Sequence, residues 1–221
     1  MTSPDTPTDE RRAERERMVR TQVAARGVEA PAVLAAMREI PRELFVPGDL
    51  AADAYADRAL AIGLGQTISQ PYMVAVMTAS LHVDGNARVL EVGTGSGYHA
   101  AVLSRIAREV ISMERHAELA DRARAILAAL GCDNVEVIVG DGTLGHAAGA
   151  PYAGILVTAG APAVPEALLQ QLQQGGRLVI PVGTAHSQSL TVFTRRGDGF
   201  EQQAGEPCVF VPLIGQHGWH A

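Results

Sequence analysis

The sequence predicts an α/β fold with a doubly wound, mainly parallel sheet and a helical extension at the N-terminus. Short β-branched and aliphatic runs alternate with segments of helical apolar spacing over residues 88–182, which is the pattern of repeated βαβ units. A strand-only end follows, from Leu190 to Leu213, without a helix that could make a parallel crossover. The last strand is therefore expected to be antiparallel.

The first 80 residues favour helices. Residues 1–7 are polar and contain proline, which indicates a disordered tail. A helix is expected from Thr8 to about Arg26, where a glycine that suits the C′ position follows, and a second from Pro31 to about Glu39. Residues 41–61 support only a loosely helical interpretation. Pro71 suits the first turn of a third helix.

The centre of the chain is a predicted strand, glycine-rich loop and helix. Val89–Val92 is a short aliphatic run that predicts a buried strand, and Gly93, Gly95 and Gly97 follow it. Helical spacing resumes at His99–Ala107, so the loop is expected to present backbone N–H groups at a helix N-terminus. The spacing is G-x-G-x-G, not the G-x-G-x-x-G of dinucleotide-binding enzymes, and the loop alone leaves the ligand open.

Two acidic residues follow the next two predicted strands. Val110–Met113 ends in Glu114, and Val135–Val139 is followed by Asp141 between two glycines. The carboxyl edge of an open α/β sheet binds ligands, and an acid after the second strand accepts hydrogen bonds from ribose hydroxyls. Two carboxylates with no cation near the loop suit a nucleoside without a pyrophosphate, such as S-adenosylmethionine. Taken singly, each acid is equally compatible with a solvated position at a strand end.

The remaining segments continue this alternation. Helices are expected at His116–Leu130 and at about Pro165–Gln173. Further strands are expected at Ile155–Val157, Arg177–Val182, Leu190–Thr194 and Cys208–Leu213. Residues 8–221 are interpreted as one domain, with a helical region over 8–80 and a cofactor-binding sheet over 81–221.

Composition argues against several functions. A net charge of −6 and an aromatic content of 4% disfavour nucleic-acid binding. All 18 basic residues are arginines, which excludes Schiff-base and P-loop lysine chemistry. The two cysteines and seven histidines show no metal-binding spacing, so no metal is expected. Without an apolar run of about 20 residues, the sequence predicts a cytoplasmic protein with no membrane partner.

A second unusual stretch precedes the third predicted helix. Thr67, Ile68 and Ser69 form a short hydroxyl-bearing segment just before the helix N-terminus. From the residues alone, capping of that helix by Ser69 or Gln70 is favoured over a functional role.

With these stretches placed, the chain resembles the protein-L-isoaspartate (D-aspartate) O-methyltransferase family from about Arg17 to Trp219. The most specific motif is GQTISQPYM at Gly65–Met73, supported by LEVGTGSGY at Leu90–Tyr98, VGDG at Val139–Gly142 and FVPLIG at Phe210–Gly215. The resemblance reverses the interpretation of Ser69, which aligns with the serine that the family uses at its active site.

The resemblance implies a seven-stranded methyltransferase sheet, S-adenosylmethionine as cofactor, and methylation of L-isoaspartyl residues in damaged proteins and peptides, with D-aspartyl residues as a second candidate. The methyl ester then closes to a succinimide, which begins repair. A monomer is expected. Ser69 is the implied catalytic residue, which orients the substrate carboxylate and is not a covalent nucleophile. The implied cofactor-binding residues are Thr67, Ile68, Ser69, Glu91, Gly93, Thr94, Gly95, Ser96, Gly97, Glu114, Arg115, Asp141 and Gly142.

Within this assignment the glycine loop wraps the methionine part of the cofactor, Glu114 holds the ribose, and Asp141 with Gly142 contacts the adenine. Three positions depart from the family pattern, and one of them is His146, which stands where a tryptophan is common. Ala153 stands where an aspartate is usual, and its loss is expected to weaken hydrogen bonding on the cofactor side. Val209 stands where some relatives have arginine.

Two alternatives stay open. The glycine loop, Glu114 and Asp141 would serve a methyltransferase of small molecules equally well, and only the Gln66–Met73 motif and the closing strands argue for isoaspartyl substrates. The second alternative is a non-catalytic binding protein that retains the cofactor-binding fold. Its only support in the sequence is the alanine at position 153.

Overall fold

A computed structural model describes residues 9–220 and contains nine strands in that range. They are β1 (Leu60–Gly63), β2 (Gln66–Ile68), β3 (Arg88–Val92), β4 (Glu109–Glu114), β5 (Val135–Val139), β6 (Tyr152–Val157), β7 (Leu172–Thr184), β8 (Ser187–Arg196) and β9 (Gly199–Cys208). The main sheet has the order β5-β4-β3-β6-β7-β8-β9, and β1 and β2 form a separate hairpin. The first five strands of this order pair in parallel, and β8 and β9 pair antiparallel to their neighbours. The predicted seven-stranded, mainly parallel sheet is confirmed.

Six α-helices accompany the strands in the described range. They are α1 (Asp9–Met18), α2 (Pro31–Glu39), α3 (Pro71–Ser80), α4 (Tyr98–Ser104), α5 (Ala117–Ala129) and α6 (Glu166–Leu169). A π-turn and a 3-10 turn extend α1 to Arg26, and Gly27 ends it at φ 93°, as expected. The predicted tail at residues 1–7 and the predicted helix start at Thr8 lie outside the described residues. No helix among residues 9–220 is both long and apolar enough to cross a bilayer.

The main sheet is buried on both faces, which explains why its central strands are almost continuously aliphatic. One face packs Leu90, Ile155 and Leu178 against Leu168 of α6. The other face packs Val89, Leu156 and Val179 against Met77 of α3 and Leu103 of α4. Parallel strands covered on both sides place their carboxyl ends at one edge, where the connecting loops are free to form a site.

The last strand was predicted in the wrong place. It spans Gly199–Cys208, not Cys208–Leu213, and its residues are almost all exposed because it lies at the outer edge of the sheet. A polar edge strand of this kind carries no alternation of apolar residues that a sequence could reveal. The apolar run Val209–Leu213 instead crosses the carboxyl edge of the sheet, where Gly160 N donates to Val211 O at 2.8 Å and Leu213 N donates to Gly160 O at 2.8 Å.

Two smaller differences concern connections. The β1–β2 hairpin was not predicted, and it replaces the end of the loosely helical region, which otherwise forms 3-10 turns at Arg42–Phe45 and Gly48–Asp53. The helix expected at Pro165–Gln173 is only α6, because β7 already begins at Leu172. The division of one domain at residues 80 and 81 stays a prediction.

Candidate active site

A cleft opens at the carboxyl edge of the main sheet. The glycine loop after β3 forms one wall, and the segment Gln66–Ser69 forms the opposite wall. Ten of the predicted site residues line it: Thr67, Ile68, Ser69, Gly93, Thr94, Gly95, Ser96, Glu114, Arg115 and Gly142. Glu91, Gly97 and Asp141 lie next to the lining but are not part of it. Two stretches that are 24 or more residues apart in sequence therefore meet across one cleft.

The glycine loop needs its glycines for conformation and for space. Gly93 has φ 99°, and a Cβ at this position would lie 2.3 Å from Thr158 Oγ1. That hydroxyl donates to Gly93 O at 2.7 Å, so the end of β6 holds the loop. Gly97 has φ 89°, and its Cβ would lie 3.0 Å from Ala123 of α5. A left-handed conformation with no room for a side chain is accessible only to glycine.

Four backbone N–H groups of the loop form hydrogen bonds within the protein. Gly93 N and Thr94 N both donate to Met113 O, at 2.8 and 3.1 Å, and Gly97 N donates to Thr94 O at 2.8 Å. Gly95 N donates to the Glu114 carboxylate at 2.8 Å. Because these N–H groups already donate within the protein, they are not available to bind a phosphate. The loop therefore suits a nucleoside better than a phosphate.

Glu114 closes the end of β4 and is held in place on both of its oxygens. Oε2 accepts from Gly95 N, and Oε1 accepts from His116 N at 3.0 Å. The residue is only 5% exposed yet lines the cleft. Each carboxylate oxygen has two lone pairs, so the fixed side chain keeps acceptor capacity for a ligand hydroxyl.

Glu91 lies beneath the loop at the base of a short hydrogen-bond chain. Thr94 Oγ1 lies 2.6 Å from Ser112 Oγ, and Ser112 donates to Glu91 Oε2. Oε1 of Glu91 has no partner among the described residues, and the residue is fully buried. Burial raises the pKa of Glu91 to about 8, helped by the charge of Glu114 and opposed by the bond from Ser112. Through this chain of hydrogen bonds, Thr94 of the loop is linked to Ser112 of β4 and Glu91 of β3.

Asp141 is used mainly within the protein. Oδ1 accepts from Thr143 N at 2.9 Å and from Thr143 Oγ1 at 2.7 Å, and Oδ2 accepts from Gln216 N at 2.8 Å. Burial alone would raise the pKa of Asp141, but these bonds outweigh it and the pKa is lowered. Asp141 thus caps the turn Gly142–Leu144 and tethers the C-terminal segment beside the cleft.

Ser69 lies between the β1–β2 hairpin and α3, and it is half-buried in the cleft wall. Its side chain makes no hydrogen bond to any residue in the described range and does not cap α3. The capping interpretation is therefore wrong. The hydroxyl faces a site where a ligand can use both its donor and its acceptor.

Arg42, which sequence analysis did not single out, forms a hydrogen bond to the backbone of Ser69. It is fully buried, and its guanidinium donates from Nε to Ala54 O and from Nη2 to Ser69 O, each at 2.8 Å. The guanidinium carbon also lies 4.9 Å from the centre of the Tyr98 ring. Other lining residues that were not named as site residues include His99, Thr158, Ala159 and, from the FVPLIG motif, Val211, Pro212, Leu213 and Ile214.

None of the three positions that depart from the family pattern, Ala153, His146 and Val209, lines the cleft. Ala153 is at the start of β6, at the amino edge of the sheet, and it lines a separate polar cavity with Arg88, Arg108 and Arg177. The expectation that this alanine weakens the cofactor side is wrong, because the cofactor cleft is at the other edge. Val209 is 73% exposed and does not line the cleft.

A parallel sheet with a tight glycine loop, a fixed acid after the next strand and no phosphate cradle defines the class of α/β transferases with nucleoside cofactors. The model of the family "Protein-L-isoaspartate(D-aspartate) O-methyltransferase (PCMT)" matches residues 13–218. The chain belongs to this family.

Relatives and solved structures agree with that assignment. A protein-L-isoaspartate O-methyltransferase of Methanoregula boonei is 53% identical over 219 residues, covering 99% of both chains. One of Methanoculleus marisnigri is 54% identical over 208 residues and covers 94% of both chains. A solved protein-L-isoaspartate O-methyltransferase superposes with a TM-score of 0.84 at 30% identity, over 94% of this chain and 67% of the other.

A more distant structure shows the fold alone. It is a putative protein-L-isoaspartate O-methyltransferase from Plasmodium falciparum in complex with S-adenosyl-L-homocysteine, with a TM-score of 0.79 and 23% identity. The superposition covers 90% of this chain and 98% of that one.

Proposed function

We propose that this protein transfers a methyl group from S-adenosylmethionine to the free carboxylate of L-isoaspartyl residues in damaged proteins and peptides, which starts their repair through a succinimide. The observation that carries the proposal is the single cleft in which the Gln66–Ser69 segment faces the glycine loop. The wall formed by the glycine loop suits a nucleoside cofactor. The wall formed by Gln66–Ser69 offers the Ser69 hydroxyl to the substrate that receives the methyl group. A D-aspartyl carboxylate is a second candidate substrate.

The cleft residues suit this cofactor. We propose that Glu114 accepts from the ribose hydroxyls, that Gly142 with Asp141 borders the adenine, and that the loop Gly93–Gly97 encloses the methionine part. The positively charged cofactor is favoured by the acid Glu114, which lines the cleft on the loop side. Thr67, Ile68 and Arg115 complete the walls around it.

The reaction requires little of the protein beyond orientation. The methyl group is supplied on a sulfonium, and the acceptor carboxylate is already ionised near neutral pH, so no general base has to generate it. Ser69 Oγ donates to that carboxylate and directs one oxygen toward the methyl group. Holding reactants in such a geometry contributes roughly 7–11 kcal/mol to catalysis. The surrounding apolar side chains, such as Ile68 and Leu213, exclude water.

The decisive experiment uses labelled S-adenosylmethionine and two peptides that differ only in an aspartyl or an isoaspartyl linkage. Labelling of the isoaspartyl peptide alone is expected. Labelling of neither peptide, with cofactor binding shown separately by calorimetry, would contradict the proposal and turn attention to small-molecule acceptors.

The role of Ser69 has its own test. Ser69→Ala is expected to lower the rate of methyl transfer roughly tenfold to a hundredfold, as the loss of a hydrogen bond to a charged group does. Affinity for S-adenosylhomocysteine should change little. Ser80→Ala is the matched control, because the Ser80 hydroxyl bonds to Val76 O outside the cleft. A fully active Ser69→Ala protein would show that this hydroxyl does not orient the substrate.

We also propose that the protein acts as a monomer, because residues of one chain suffice to line the cleft. Sedimentation of the purified protein at several concentrations tests this, and a stable dimer would contradict it. A cytoplasmic location stays a prediction, which fractionation of cells checks.

A further inference from the structure

His99 is a buried residue of the cleft for which neither the sequence motifs nor the proposed chemistry provides a role. It is the second residue of α4, directly after the glycine loop, and it is 6% exposed. It lines the cleft together with Ile68, Ser69 and Val74. His99 is therefore part of the same cleft as the loop and the Ser69 segment.

The hydrogen bonds around His99 determine its tautomer. Thr78 Oγ1 donates to Val74 O at 2.7 Å, one turn back in α3. A hydroxyl has one hydrogen, so Thr78 can only accept in its 2.7 Å contact with His99 Nε2. Nε2 therefore carries the proton, and Nδ1 presents an unprotonated lone pair.

That lone pair has no partner within the protein. Nδ1 of His99 is buried and forms no hydrogen bond with any residue in the described range. Burial lowers the pKa of His99 to about 3, so the ring is neutral at neutral pH. A buried acceptor left unpaired is unfavourable, and a bound ligand that donates a hydrogen bond removes this cost.

The chemistry of the two ligands selects the donor. The isoaspartyl carboxylate offers only acceptor oxygens, which a lone pair repels. The cofactor offers ribose hydroxyls, the adenine amino group and the α-ammonium of its methionine part. Glu114 and Gly142 follow β4 and β5, on the outer side of the loop, so the adenosine end lies there. His99 is at the N-terminus of α4, contacts Thr78 of α3 and lines the same cleft as Ser69, so we assign the methionine end to this part of the cleft.

We propose that His99 Nδ1 accepts a hydrogen bond from the α-ammonium group of S-adenosylmethionine and so fixes the methionine end of the cofactor beside Ser69. This inference rests on the proposed function, because it assumes that cofactor. Thr78 is the positioning residue that keeps the accepting nitrogen unprotonated.

Calorimetry with two ligands tests the contact. S-adenosylhomocysteine is compared with the analogue in which its α-amino group is replaced by hydrogen, on the wild-type protein and on His99→Leu. The substitution is expected to weaken S-adenosylhomocysteine roughly tenfold to a hundredfold and to leave the analogue nearly unchanged. Equal losses for both ligands would overturn the proposal. His186→Leu, in the exposed turn between β7 and β8, is the control expected to bind both ligands normally.

Nitrogen NMR of the histidine side chains gives a second readout that needs no variant. In the free protein, His99 is expected to show a protonated Nε2 and an unprotonated Nδ1. S-adenosylhomocysteine should shift the Nδ1 resonance upfield, and the desamino analogue should not. A protonated Nδ1, or a resonance that S-adenosylhomocysteine leaves in place, would overturn the inference while the proposed function stands. A wild-type protein that binds neither ligand would overturn both.

Discussion

The buried Arg42 provides the sharpest test of how the fold supports Ser69. We consider Arg42→Met, which keeps a long apolar side chain and removes the guanidinium. Two hydrogen bonds of 2.8 Å are lost, one to Ala54 O and one to Ser69 O. The first joins Arg42 to the N-terminal region, and the second fixes the backbone of the active-site segment.

The size of the effect follows from two opposing contributions. Each buried carbonyl left without a donor costs about 1–3 kcal/mol. Against this, burial lowers the pKa of Arg42 to about 10, which shows that the protein holds this cation at a cost. Methionine removes that cost. We expect a net loss of about 2–4 kcal/mol in the free energy of unfolding.

Urea unfolding and steady-state kinetics measure the two consequences. Since Arg42 does not line the cleft, the Kd for S-adenosylhomocysteine should stay near the wild-type value. A displaced Ser69 should lower kcat by up to about a hundredfold, as small misplacements in active sites do. Arg38→Met is the matched control, because Arg38 forms an exposed ion pair with Glu16 at 3.0 Å, worth less than about 1 kcal/mol. An Arg42→Met protein with wild-type stability and kcat would refute this reasoning.

Three further changes test the cofactor wall. Glu114→Gln replaces an acceptor with an amide and should weaken S-adenosylhomocysteine roughly tenfold to a hundredfold in calorimetry; unchanged affinity would contradict the ribose assignment. Gly93→Ala should destabilise the protein more than Gly27→Ala in urea, because both have φ above 90° but only the former places its Cβ against Thr158; equal losses would contradict the clash. With a pKa raised to about 8, Glu91 stabilises the protein at low pH and loses this contribution as pH rises through about 8. Glu91→Gln should abolish that decline, and urea midpoints from pH 5 to 9 that fall in parallel with the wild type would contradict it.

The central sheet could be predicted because its strands are buried on both faces. Ile155–Val157 is wholly aliphatic, and Val89–Val92 is aliphatic except for Glu91. A glycine follows Val92 directly. The edge strand β9 could not be found in this way, because Gly199–Cys208 faces solvent along most of its length. The apolar run after it was mistaken for a strand because burial over the cleft and burial in a sheet select the same residue types.

In the site, too, residues whose roles depend on local sequence could be predicted, and residues whose roles depend on contacts distant in sequence could not. The glycine loop and Glu114 could be placed from sequence because their roles depend on strand ends and local turns. The role of Ser69 came only from family resemblance, and Arg42 and His99 were missed altogether. Arg42 lies 27 residues from Ser69, and His99 lies 21 residues from Thr78. Single-sequence patterns carry no information about such pairings.

The hydrogen bonds that hold the β1–β2 hairpin in place have a consequence for the range of substrates that the site can accept. Arg42 donates to Ser69 O, and Arg122 donates to Ile62 O at 2.9 Å, so main-chain carbonyls fix both ends of this segment. Thr67 and Ser69 are thereby spared from holding the backbone and stay available at the cleft. With the role proposed above for Ser69, the site is expected to recognise the damaged linkage, which every substrate shares, and to make few demands on flanking side chains. An enzyme of repair needs this property, because damage arises in many different sequences.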